Sequence, residues 1–155
     1  MEWVTRKNIK VDRVACPWLI RKFIDPEARF LFVAEAELLE KAQSGPIPFD
    51  APNLPQVKLN HRGNRCSFEA IIEDYKLDAP GLGRLALIVR AADIKGEEHV
   101  AAEGPGLRAI AEGFAALGLS DEDRLRYGFQ IYDALLEYAR KPSAGEKQNQ
   151  KGQQQ

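Results

Sequence analysis

The stretch "NHRGNRCSFEAII", residues 60–72, sets an imidazole, a thiol and a carboxylate close together at His61, Cys66 and Glu69. Imidazole and thiolate suit zinc, copper or iron, and a carboxylate can complete the set. A helix beginning after Cys66 makes that residue its N-cap and Glu69 its N3, the reciprocal positions of a capping box. Their spacing turns both side chains to one side of the first helical turn. The Gly63-Asn64 turn then folds His61 back towards them. The expectation is one divalent-metal site on His61, Cys66 and Glu69. Zinc or iron is favoured over magnesium or calcium, for which a thiolate is too soft. A fourth contact is open to Cys16, Asp12, Asp93 or water. The same residues also admit a plainer reading, with Glu69 as a capping carboxylate and His61 bonded to backbone.

The second cysteine lies in "RVACPWLIRK", residues 13–22. Pro17 lacks an N–H and has a fixed φ, which suits the first helical position and makes Cys16 the N-cap. A sulfur there faces unpaired N–H groups and the positive end of the helix dipole, which favours the thiolate. Cys16 is therefore the candidate nucleophile or reductant, with Arg13 as anion clamp. The alternative is that both cysteines are small buried residues, since free cysteine is among the most buried types. A Cys16–Cys66 bridge stays open.

Forked guanidinium donors suit tetrahedral oxyanions, so Arg13, Arg62 and Arg90 are candidate anion-binding residues. Asp12 is a possible ligand or a bidentate partner of Arg13. Arg90 follows the apolar run "LALIV" and needs a partner, for which Asp93 at i+3 stands ready. Asp133, on the helical face of "IYDALLEY", borders the same cavity or caps a neighbouring backbone group.

These side chains must be positioned by the elements around them. "EWVT", "RFLFV" and "QVKLN" read as strands. Helices are expected at 17–24, 35–43, 67–75, 81–93, 105–117 and 121–140, the last capped by Ser120 with Asp123 three residues on. Pro46, Pro48, Pro52 and Pro55 make 44–57 a loop. The fold class is α+β, several helices packed around a small β-sheet in a single domain over 1–141. The polar tail 142–155 reads as disordered. The chain has 155 residues, 45% hydrophobic and 29% charged, with a net charge of −1. That balance gives no global field for nucleic acid or anionic membrane. The absence of a long apolar run, a secretory signal and a dense cysteine framework points to a reducing cytoplasm. No phosphate-binding loop of the G-x-x-x-x-G-K type occurs.

Taken together, "DRVACPWLIRKFIDPEARFLFV", "PFD", "HRGNRCSFE", "LALIVRAAD" and "YDALLEYAR" resemble, in order and spacing over residues 3–140, the chromate-resistance protein family ChrB, in its C-terminal domain. The resemblance implies a role linked to chromate resistance, as a regulator or sensor beside a chromate transporter. Full-length regulators of this type carry a further N-terminal region thought to bind DNA. The shared domain begins here at residue 3, so the expectation is a stand-alone effector rather than a direct DNA binder. Glu69 stands where Asp is common in the family pattern, preserving charge and changing reach. The functional expectation is a cytoplasmic sensor or effector that binds a metal ion or a small chromate-like oxyanion. The alternative is a thiol- or metal-dependent redox enzyme acting on chromate or a related oxyanion.

Overall fold

The computed structural model of the protein describes residues 1–142. The tail reading therefore lies, apart from Pro142, outside the described residues. In "EWVTR", bulky and β-branched side chains alternate across a pleat, and β1 (Glu2–Arg6) runs through the centre of the sheet with Trp3, Val4 and Thr5 buried. Next come α1 (Asp12–Phe23), β2 (Arg29–Val33), α2 (Glu35–Gln43) and β3 (Ile47–Pro48). The three strands are parallel in the order β2-β1-β3, with Trp3 opposite Phe30 on one side and Ile47 on the other. Helices α3 (Ser67–Asp74), α4 (Leu82–Asp93), α5 (Gly104–Ala116) and α6 (Asp121–Arg140) follow, with one 3-10 turn at Glu98–Val100. The result is an α+β fold, helices packed around a small sheet in one compact domain.

The main core joins Trp3, Trp18, Leu19, Phe49, Phe68, Ile71, Leu85, Ile88 and Leu136. A smaller core under α2 holds Leu38, Ala51 and Val57. Strand alternation divides β2 between them, Phe30 and Phe32 meeting the large core and Val33 the small one. Gly128 on α6 lets α1 come close, since a Cβ there would run into the Val14 side chain. Ser120 caps α6 as expected, accepting from the Asp123 N–H at 3.1 Å.

Three local expectations change. Helix α1 starts at Asp12, five residues before Pro17, so Cys16 is inside the helix and not its N-cap. Pro17 removes the bond that its N–H would make to the Arg13 carbonyl. The helix runs through regardless, because Val14, Ala15, Cys16, Trp18, Leu19 and Ile20 are all buried. Packing of that face outweighs one missing hydrogen bond. Segment 44–57 is not wholly loop, since it supplies β3. Pro48 is tolerated there because β3 lies at the sheet edge. "QVKLN" does not form a strand. Only Leu59 forms a bridge, with Phe49, and the Asn60 side chain then grips the Ala51 backbone at 3.0 and 2.8 Å, taking the place of a ladder.

Candidate functional site

Helix α1 opens with Asp12, which is buried at 1% exposure and whose carboxylate reaches out of its own helix. It accepts the N–H of Ser67 at 2.7 Å and of Phe68 at 3.1 Å, the unpaired donors of the first turn of α3. A carboxylate at that end of α3 also faces the positive end of its dipole. Asp12 thereby ties α1 to α3 and fixes one wall of a polar site.

The loop after β3 brings Asp50 to the same place. Its φ is +48°, a left-handed conformation that Asp adopts more readily than most residues. The Asp50 N–H donates to the Leu59 carbonyl, and its Oδ1 accepts from Ser67 Oγ at 2.8 Å. The chain leaving Asn60 delivers His61, and Asp93 comes from the last residue of α4. His61 Nε2 then lies 3.2 Å from Asp93 Oδ2, 3.5 Å from Asp50 Oδ1 and 3.6 Å from Asp12 Oδ2. Three carboxylates from three separate segments converge on one ring nitrogen. Asp12, His61 and Asp93 offer ligand atoms that all lie within 4.8 Å of one another.

Such crowding of acids has electrostatic consequences. Burial, reinforced by the charges of Asp93 and Asp50, pushes the Asp12 carboxyl up to about 7. His61 rises to about 12, chiefly through the close approach of Asp12, then those of Asp50 and Asp93, which favour its charged form. Asp50 stays below the usual carboxylate range despite burial, because His61, Ser67 and Arg13 favour its charged form. The arrangement thus favours the imidazolium form of His61, whose charge offsets the repulsion among the three acids. His61 and Asp93 keep partial exposure, 29% and 18% of their side chains, so the cluster is open to solvent on that side.

The sequence-derived metal set divides. His61 lies in the carboxylate cluster, while Cys66 and Glu69 engage each other and Arg90. Glu69 accepts the Cys66 N–H at 2.9 Å, as the capping box requires, and the Cys66 thiol at 3.4 Å. Its carboxylate also takes Arg90 Nε at 3.0 and 3.1 Å and Arg90 Nη2. Arg90 thus finds its partner across two helices in Glu69 and not in Asp93. Burial raises the Cys66 thiol, and the charges of Asp12 and Glu69 add to the effect.

Cys16 is also fully buried and donates to Asp12 Oδ1 at 3.4 Å. Burial first, then Asp12, raises its thiol well above the ordinary range, against the expectation of a depressed value. The two cysteines are free. Asp12 lies beside both, accepting from the Cys16 thiol and from the N–H of Ser67, the residue after Cys66.

Each candidate anion-binding arginine already holds protein groups. Arg13 bonds the carbonyls of Arg6 and Lys7 and pairs with Asp50 at 3.5 Å, not with Asp12. Arg62 grips Asp74 with both Nη atoms at 2.8 Å and also reaches Glu73. Asp133 accepts from Trp18 Nε1 at 2.9 Å and Lys22 at 3.2 Å, so it anchors the indole and is not a backbone cap. Asp50 escaped the sequence reading. Its signal was the "PFD" run closing the proline-rich segment, where an acid follows a buried aromatic.

Residues 3–139 match the family model described as ChrB, C-terminal domain. Protein ChrB of Cupriavidus metallidurans is 33% identical over 142 residues, covering 91% of this chain and 41% of that relative. The chain thus spans less than half the length of the curated relative it matches. No solved structure matches. A match along nearly the whole described chain, with that identity, places it: the chain belongs to the ChrB C-terminal domain family.

Proposed function

We infer that this is a divalent-cation-binding effector domain linked to chromate resistance, with Asp12, His61 and Asp93 as ligands and Asp50 supporting His61. The observation that carries this reading is the convergence of three carboxylates on the single Nε2 of His61. A cation in that position replaces the imidazolium proton and relieves the repulsion among the acids. Oxygen and imidazole donors suit manganese, iron(II) or zinc. With no thiolate in the set, harder ions such as magnesium also suit the oxygen donors.

The same geometry favours a cation over an oxyanion as the direct ligand. Acids outnumber the one histidine in the cluster, and Arg13, Arg62 and Arg90 are each engaged by carboxylates. A buried, hydrogen-bonded Cys16 also favours binding over thiol-based turnover.

Equilibrium dialysis against manganese, iron(II) and zinc, with elemental analysis of the protein, tests the reading. Wild type is expected to retain one equivalent of one of these ions, and His61→Ala and Asp93→Asn to lose it. Cys66→Ser is expected to bind as wild type does. Absence of bound ion in wild type, or equal binding by His61→Ala and Asp93→Asn, would overturn the assignment.

A further inference from the structure

The two edges of the sheet are built differently. β3 is two residues long and carries Pro48, both features that blunt an edge. β2 is the five-residue run RFLFV, with no proline, lysine or glycine, and among the described residues its one strand neighbour is β1. The Arg29 N–H donates to the Met1 carbonyl at 3.0 Å, and the Lys7 N–H donates to the Val33 carbonyl at 2.9 Å. In a parallel ladder with these ends, Arg29, Leu31 and Val33 turn their backbone groups towards β1. The N–H and C=O of Phe30 and Phe32 point the other way. Among the described residues these four groups have no partner from another element.

A groove runs beside this edge, between β2 and α6. Phe30, Phe32, Leu125 and Phe129 line it, together with Arg21, Glu122 and Arg126. The Arg21 guanidinium lies over the rings of Phe30 and Phe129, at 5.1 and 5.5 Å from their centres. Apolar floor and charges of both signs sit together on one face.

We propose that β2 is a homodimer seam, where two copies of this chain pair antiparallel about a twofold axis at Leu31. In that register Phe30 of each copy stands opposite Phe32 of the other. An antiparallel hydrogen-bonded pair exchanges both N–H···O bonds, so the two pairs use all four outward groups. Leu31 meets itself in the non-bonded position between them. A register centred on Phe30 or on Phe32 leaves some of these groups unpaired. The opposed phenylalanines form cross-strand aromatic pairs on the core-facing side.

A twofold interface requires a patch that complements itself. The groove meets that requirement, because Glu122 of one copy can face Arg21 of the other, a guanidinium that bonds only the Ala28 carbonyl and two aromatic rings among the described residues. The product is a continuous six-stranded sheet in the order β3-β1-β2-β2-β1-β3.

Sedimentation velocity over a dilution series, paired with amide hydrogen exchange, tests the seam. The expected result is a reversible dimer in which the Phe30 and Phe32 amides are protected and lose protection on dilution. The Arg29, Leu31 and Val33 amides should be indifferent to concentration. Phe32→Lys places a charge on the strand edge and should weaken association at least about tenfold. Glu122→Arg, on an exposed α6 position, should weaken it too and leaves the core untouched should Phe32→Lys fail to fold. A monomer at every concentration, a dimer whose Phe30 and Phe32 amides exchange freely, or association unchanged by Glu122→Arg would overturn the proposal.

Discussion

Replacing Glu69 with alanine isolates the contact that separates a structural carboxylate from a metal ligand. Glu69 and Arg90 are 10% and 15% exposed, and the guanidinium meets the carboxylate through Nε and Nη2. Removing one partner of so sheltered a pair costs about 3–5 kcal/mol, because the other charge remains buried. The Cys66 N–H, which donates to Glu69 at 2.9 Å, loses its acceptor as well. An unsatisfied buried donor adds about 1–3 kcal/mol, part of which overlaps with the first loss. The expected destabilisation is about 3–6 kcal/mol, a fall in Tm of roughly 6–24 °C for a domain of this size. Urea and thermal unfolding of wild type, Glu69→Ala, Arg90→Met and Glu69→Gln/Arg90→Met give the answer. The double variant should recover much of the loss, since its amide still accepts from Cys66 and no unpaired charge remains. It should also bind the cation as wild type does, because Glu69 is outside the proposed ligand set. A Glu69→Ala loss below about 1 kcal/mol would refute the packing argument. Loss of cation binding in the folded double variant would return Glu69 to the metal site.

The carboxylate cluster and the thiols beside it set how stability and cation affinity respond to substitution and pH. Asp93→Asn should keep apo stability within about 1 kcal/mol, because the lost His61 pair is offset by relief of repulsion on Asp12; calorimetry with and without cation should show that it removes ligand stabilisation. His61 is raised to about 12 in the folded protein, so its contribution is complete below the unfolded value of about 6.5 and is lost as pH rises through the folded one. Asp12, raised to about 7, acts with the same sign, since the folded state binds the extra proton. Thermal unfolding of the apo protein should therefore show falling stability towards alkaline pH. Cation affinity should strengthen over the same range, by up to about tenfold per pH unit for each proton displaced. Neither Cys16 nor Cys66 should react with a small alkylating reagent in the native protein on the timescale of unfolded controls, and both should react in denaturant.

Much of the fold was legible because the apolar periodicities of α2, α4, α5 and α6 and the β-branched or aromatic runs of β1 and β2 agree with local propensity. The capping pair Cys66–Glu69 and the Ser120 cap were legible for the same reason, being contacts three residues apart. The start of α1 was not, because proline at position 17 gives a strong local signal for a helix beginning. Only burial of the whole Val14–Ile20 face overrides it. Pro48 misled in the same way, since its tolerance depends on β3 being at an edge. The site was half legible. His61, Asp12 and Asp93 each stood out as residues able to do chemistry, but their meeting depends on the chain paths of α1, α4 and the 50–61 loop. Sequence spacing instead favoured the nearest partners, joining His61 to Cys66 and Glu69 and Arg90 to Asp93. Asp50 was hidden because its left-handed turn and its approach to His61 are set by the Phe49–Leu59 bridge, a contact between distant positions.

Paramagnetic relaxation by manganese(II) reports where the ion sits as well as whether it binds. In amide spectra of the isotope-labelled chain, substoichiometric manganese should first broaden the signals of Asp12, Asp50, His61 and Asp93 and their immediate neighbours. Zinc or magnesium added in excess should restore them if it competes for the same oxygen and imidazole donors. Broadening centred on the exposed acids Glu73 and Asp74, or spectra unchanged by the ion, would rule out the Asp12–His61–Asp93 cluster as the cation site.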